Sequence, residues 1–159
     1  RLPRDKVCDT PIGAPDIVST FFDFAEIELP WEMHGRSIVP LLNNPSENWS
    51  RPLLLTFTGR RYGSDTDEVP TDPAILRETG RVPWYVSLHD GRHKYIRTLV
   101  EGETEELYNL DADPEELTNL AGDPEHRDRI LTMRRQTIAE LRRTEAGFVD
   151  DMPKVAELQ

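Results

Sequence analysis

The densest run of side chains able to hold a charged group is Thr58-Gly59-Arg60-Arg61-Tyr62. Two adjacent guanidiniums can clamp an anionic group with paired N–H donors, and a phenol beside them can stack on a ring. Arg60, Arg61 and Tyr62 are therefore the candidate substrate-binding residues. The competing reading is an exposed basic loop neutralised by Asp65, Asp67 and Glu68. Other constellations fail on spacing. His89 and His93 would pair on a helix, but they straddle Asp90-Gly91, a hairpin signal, and a two-residue turn sends them to opposite faces. Asp65-Thr66-Asp67-Glu68 begins like a calcium loop, yet its sixth position is Pro70 instead of glycine and its twelfth is Leu76 instead of glutamate. Asp111-Ala112-Asp113 fails likewise, because Asp113 serves better as a helix cap. Cys8 is the single cysteine, which excludes an internal disulfide and a multi-thiolate zinc site; it reads as an inert small residue. There is no glycine-rich phosphate loop and no Gly-x-Ser-x-Gly elbow. Asn48-Trp49-Ser50 fits a glycosylation sequon. The reading assigns no catalytic residue, no metal ligand and no cofactor to this chain.

The elements that must position the Arg-Arg-Tyr cluster are legible. Leu53 to Thr58 is a compact apolar run between Pro52 and Gly59, which predicts a buried strand. The cluster sits where that strand emerges into a long polar loop, Gly59 to Arg81, and binding residues favour loops held by rigid elements. Val82–Leu88 and Arg92–Val100 flank Asp90-Gly91 and predict a hairpin that pairs His89 with Arg92 and Leu88 with His93. Its core face carries Val82, Trp84, Val86, Leu88, Tyr95 and Leu99. Glu106 to Leu110 is a further short strand. Asp113-Pro114-Glu115-Glu116 and Asp123-Pro124-Glu125 each predict a capped helix start. The first helix is short and stops near Gly122. The second runs to about Arg143 or Thr144, with Ile130, Met133, Ile138 and Leu141 facing the core and Arg127, Arg134, Arg135 and Arg142 solvated. Near the N-terminus, Asp16 to Ala25 shows helical periodicity, with Ile17, Phe21 and Phe24 on one face and Val18, Phe22 and Ala25 beside them, which predicts a buried helix. The sum is an α+β chain: a small antiparallel sheet of about four strands with a long C-terminal helix packed on it.

The chain has 159 residues, about one domain. Its net charge of −11 repels phosphates, so nucleic-acid binding is excluded as a general function. No apolar run approaches the roughly 20 residues of a membrane span. The first residue is Arg1, not Met, with no signal segment after it, which reads as a processed product or a piece of a longer chain. Asp150 to Gln159 reads as a loose tail.

The run from Glu105 to Ala121, EELYNLDADPEELTNLA, resembles the closing signature of the sulfatase family. Three further segments agree in order and spacing. Asp16 to Ala25 looks like the family's late helix. Gly35-Arg36-Ser37-Ile38-Val39-Pro40 looks like its Gly-Arg-Ser-Leu-x-Pro link, and Gly91 to Ile96 looks like its hairpin strand. The likeness spans about Cys8 to about Leu141. It implies the C-terminal region of a sulfuric ester hydrolase: residues 1–45 close a large α/β domain of alkaline-phosphatase type, 46–147 form the C-terminal subdomain, and 148–159 are tail. The family's nucleophile is a formylglycine made from a Cys-x-Pro-x-Arg motif, and a calcium ion polarises the sulfate. Cys8 lacks that context, so both cofactors are expected in the N-terminal catalytic domain outside this chain. The partners implied are that domain and a sulfated small molecule or glycan. Thr58 to Tyr62 resembles the family segment that reaches toward the active site, which implies a place for Arg60, Arg61 and Tyr62 in the pocket wall. Periplasmic or secreted localisation follows from the resemblance only. In this reading the helix around Phe21 packs against the domain outside the chain, so the chain alone should associate through it. The alternatives are a stand-alone binding or scaffold module and the equivalent part of a related phosphoesterase or phosphonate hydrolase.

Overall fold

The computed structural model describes residues 5–58, 68–76 and 82–155. The chain divides into two compact units, Arg1–Leu53 and Leu54–Gln159.

The first unit is built on α1, Ala14–Phe24, followed by the short α2, Val39–Asn43. Gly13 precedes α1, and Pro15 lies in its first turn, where a missing N–H costs nothing. The Asp16 carboxylate accepts the Gly13 amide at 2.9 Å and the Arg36 amide at 2.8 Å, and it pairs with Arg51 at 3.4 Å. One turn on, the Thr20 hydroxyl donates to the Asp16 carbonyl at 2.6 Å and accepts the Ile38 amide at 2.9 Å. The Ser37 hydroxyl donates to Asp23. The polar residues 16, 19, 20 and 23 thus form their own helical stripe, and the Gly-Arg-Ser link lies along it. Gly35 permits that approach: a Cβ there would stand 2.1 Å from the Pro15 carbonyl oxygen.

This arrangement corrects the expectation that the aromatic face of α1 is buried in this chain. Asp16, Ser19 and Thr20 are the buried residues of the helix, while Phe21 is 67% exposed and Phe24 51%, with Ile17 and Val18 also open. Phe22 is half-buried and meets the Trp31 ring edge-on, with centroids 6.2 Å apart. The helix turns inward the face that can satisfy the link's amides, because an unpaired buried N–H costs about 1–3 kcal/mol.

The second unit carries a four-stranded sheet in the order β1 (Leu53–Phe57), β2 (Tyr85–His89), β3 (His93–Thr98), β4 (Glu106–Asn109). The pairs β2–β3 and β3–β4 run antiparallel. A four-residue helix, α3, spans Pro73–Leu76. The long helix α4, Arg127–Arg143, follows a 3-10 turn at Pro124–His126 and covers one side of the sheet. Val86, Leu88, Tyr95 and Leu107 from the strands meet Ile130, Met133 and Leu141 from α4, all fully buried. This is the α+β architecture that the sequence predicts. Asp123 caps the 3-10 turn by accepting the Glu125 amide at 2.9 Å, and Arg142 and Arg143 occupy the negative end of the helix dipole.

Five local readings need correction. The strand expected to be buried is partly open, with Leu55 46% exposed and Thr56 exposed, because β1 lies at the edge of the sheet. The hairpin register places His89 opposite Lys94 and Leu88 opposite Tyr95, two residues from the expected pairing. The turn is centred on Gly91-Arg92 because the Asp90 carboxylate accepts the Arg92 and His93 amides at 3.0 and 2.7 Å, and Gly91 takes φ 100°. Both registers keep the same strand residues on the core face, but Val82, which precedes β2, is 45% exposed and lines the opposite side. Residues 113–122 form successive turns instead of a helix. Asp113 accepts the Thr118 amide at 2.8 Å, Glu116 adopts φ 57°, and the Asn119 side chain bonds the Leu107 and Ala121 amides and the Glu105 carbonyl. Side chains of this kind offer the backbone an alternative to helix. On α4, Arg134 is held against the fold and not solvated, and Thr137 rather than Ile138 is fully buried. At the C-terminal end, Phe148 is buried, Met152 packs on the same cluster, and Arg97 donates to the Pro153 carbonyl, so the described part of the expected tail is fastened. Among the described residues no helix is long and apolar enough to cross a membrane.

Candidate functional site

Arg60, Arg61 and Tyr62 lie outside the described residues. The strand from which they leave is described. On β1, Leu54 points into the core, while Leu55 and Phe57 belong to the opposite side of the sheet, away from α4. Phe57 stacks on Tyr85 with centroids 5.5 Å apart and planes 21° from parallel. A strand ending in a stacked aromatic pair is a rigid root for the chain at Thr58.

That side of the sheet, which no described helix covers, holds a shallow groove of about 240 Å³. Leu55, Pro83 and Ile96 supply its apolar floor; Tyr85, Ser87 and Thr98 supply hydroxyls. Register explains their convergence: Tyr85 lies opposite Thr98, and Ser87 opposite Ile96, so all four share one face. Two charged residues border the groove. The Lys94 ammonium is held by both carboxylate oxygens of Glu116, at 2.7 and 3.0 Å. The Glu106 carboxylate accepts the Tyr108 hydroxyl at 2.5 Å, and that hydrogen bond, with burial second, pushes the phenol up to about 12.

His89 and His93 fall on opposite faces, as the strand geometry requires. His93 is buried with Nδ1 lacking a hydrogen-bond partner, 3.8 Å from Asp90; burial lowers its pKa. Burial lowers His89 as well. The Cys8 thiol is exposed and donates to the Pro45 carbonyl at 3.6 Å. Arg36 lies over the Trp49 ring, 3.7 Å from its centroid.

Sequence reasoning missed one buried polar cluster. Glu105, 7% exposed, accepts the Tyr95 hydroxyl and a two-pronged contact from Arg134. Burial, then the Glu105 hydrogen bond, drives the Tyr95 phenol far above its ordinary value. The signal was present: 130, 133, 134, 137 and 141 follow one helical stripe, so an arginine at 134 belongs to the buried side. The cluster ties β3, the start of β4 and α4 together.

No protein-family model matches the chain. An arylsulfatase of Clostridium perfringens is 27% identical over 147 residues, covering 92% of this chain and 26% of that protein. The solved structure of a 2-O glycosaminoglycan sulfatase is 25% identical with a TM-score of 0.60, covering 82% of this chain and 24% of its own. These matches support the sulfatase resemblance. It spans about a quarter of the length of these relatives, which fits a C-terminal region of a sulfatase. A phosphonate monoester hydrolase of Silicibacter pomeroyi shares the fold at 22% identity and TM-score 0.60, over 84% of this chain and 26% of its own.

The sulfatase resemblance implies calcium and formylglycine in the catalytic domain, and the described residues do not fit either group. Among the described residues no three of His, Cys, Asp and Glu cluster to hold a metal. Cys8 stands in Val-Cys-Asp-Thr-Pro, without the Pro-x-Arg context that formylglycine formation reads.

Proposed function

We propose that this chain is the part of a sulfate-ester hydrolase that closes the catalytic domain and walls its substrate pocket. The nucleophile and the calcium site belong to the N-terminal domain, and Arg60, Arg61 and Tyr62 reach from the end of β1 to the substrate. The observation that carries this reading is coverage: nearly the whole chain matches about a quarter of an arylsulfatase. The open aromatic face of α1 supports it, since a helix that encloses its polar stripe and presents Phe21 and Phe24 outward is built to meet another apolar layer. The substrate class is a sulfated sugar or other sulfate monoester.

The test starts from the longer reading frame. It should encode a Cys-x-Pro-x-Arg motif upstream, and its product should release sulfate from an aryl sulfate, whereas the 159-residue chain should not. Turnover by the 159-residue chain alone would refute the division of labour. In the full protein, Arg60→Ala with Arg61→Ala should raise KM by roughly tenfold or more, the effect of losing one to two charge-assisted hydrogen bonds. An unchanged KM removes the two arginines from the pocket. The shared fold of the phosphonate monoester hydrolase keeps a second reading open. Faster hydrolysis of a phenyl phosphonate than of a phenyl sulfate would select it.

A further inference from the structure

The groove on the open side of the sheet has a chemistry of its own. Tyr85, Ser87 and Thr98 carry hydroxyls that have no hydrogen-bond partner among the described residues, and Ser87 is only 9% exposed. The three lie on adjacent strands in fixed register. Between them the floor is apolar, and one wall is the ring of Tyr85, braced by Phe57. The fixed charges nearby, Lys94, Glu116 and Glu106, leave an excess of one negative charge, and the ammonium is already held by Glu116. An anion therefore gains nothing here. The volume of about 240 Å³ lies below the roughly 300 Å³ where pockets for drug-sized ligands begin, so it suits a single ring.

We propose that this groove binds one uncharged sugar ring. The ring's C–H face lies on Tyr85 and Ile96, and its hydroxyls exchange hydrogen bonds with Ser87, Thr98 and the Tyr85 phenol. A carbohydrate fits because it pairs an apolar face with a rim of donors and acceptors, the same combination the groove offers. The inference rests on the sulfatase reading only for the availability of a glycan; the geometry stands without it.

The experiment is ligand-observed NMR by saturation transfer on the 159-residue chain, with glucose, N-acetylglucosamine and N-acetylglucosamine 6-sulfate as probes. An uncharged sugar should receive saturation at its ring protons, with millimolar affinity, and the sulfated sugar should bind no tighter. The double variant S87A/T98V, which removes two hydroxyls at nearly constant volume, should weaken binding by about threefold to tenfold per lost bond. If circular dichroism shows that variant unfolded, Y85F keeps the ring and tests the third hydroxyl alone. No transfer from any uncharged sugar, a tenfold preference for the sulfated one, or unchanged affinity in the folded hydroxyl variant would each overturn the proposal. So would strong exchange protection of the groove amides, with no response to sugar, in the protein from the longer reading frame: that result means polypeptide covers the face. Binding is read here without turnover, so its failure leaves the sulfate-ester assay standing, and the reverse holds too.

Discussion

The Glu105–Arg134–Tyr95 cluster allows a quantitative test of how the second unit is held together. Glu105 is 7% exposed and its partner side chain Arg134 16%, so the pair sits largely outside the reach of solvent screening. Removing one partner of such a pair leaves a buried charge without compensation and costs about 3–5 kcal/mol. Arg134→Met should therefore lose about that much or somewhat less, since Glu105 keeps the Tyr95 hydroxyl and the attraction of the nearby Arg97 guanidinium. Glu105→Gln retains an acceptor for Tyr95 but gives up the ionic contact, at about 1.5–3 kcal/mol. In the double variant the shared contact is lost once, so the two costs should overlap by about 2 kcal/mol. Urea unfolding followed by helix circular dichroism and by Trp84, the core tryptophan of this unit, measures all three. With about 4–8 °C per kcal/mol in a unit of this size, Arg134→Met should lower Tm by upwards of about 12 °C. A coupling within 0.5 kcal/mol of zero, or an Arg134→Met loss under about 1 kcal/mol, would show that the cluster is a surface contact in effect and that the apolar layer alone joins α4 to the sheet.

Further outcomes test the first unit and the pH response. Gly35→Ala places a methyl group 2.1 Å from the Pro15 carbonyl oxygen, so the link must lift from α1 and lose its bonds to Asp16 and Thr20; hydrogen exchange at the Arg36 and Ile38 amides should lose about 2–4 kcal/mol of protection, and unchanged protection rejects the seam. Phe21→Ser with Phe24→Ser should abolish self-association of the 159-residue chain in light scattering; a wild-type chain that is monomeric at all concentrations contradicts the exposed patch. His93 has its folded-state pKa lowered, chiefly by burial, so its neutral form is the stabilising one: stability is full above the ordinary value of 6.5 and falls as pH drops below it. His93→Gln should flatten part of that acid loss, measured as the difference in unfolding free energy between pH 7 and pH 5; an identical pH slope removes His93 from it.

Periodicity carried most of the fold. The alternation in Tyr85–His89 and His93–Thr98 fixed which residues face α4, and that assignment survives a two-residue shift in pairing because the shift preserves parity. The shift itself was hidden, since it depends on the Asp90 side chain reaching two amides, a contact that composition does not encode. The capped start at Asp123-Pro124 was legible and correct, whereas the same pattern at Asp113-Pro114 made turns. The difference lies downstream, where Asn119 is occupied by β4 and the segment has no apolar stripe to bury. The groove went unread because its hydroxyls come from alternate positions on two strands and carry no motif. The Arg-Arg-Tyr cluster was the clearest chemical signal in the sequence, and its use is a matter for the full protein.

The two faces of α1 make the physical case for a partner. A helix with Ile17, Phe21 and Phe24 on one side and Asp16, Ser19 and Thr20 on the other would, in an isolated unit, bury the aromatic side. It does the reverse because the link from Gly35 to Ile38 brings amides that only the polar stripe can satisfy. Full burial of a phenylalanine is worth about 1.5–3 kcal/mol, and Phe21 and Phe24 retain more than half of their surface. About 2–3 kcal/mol is thus available from these two rings to whatever layer covers them, with Ile17 and Val18 adding to it. A seam that is polar within and apolar without is suited to a second layer, and in the proposed reading that layer would be the α/β domain upstream.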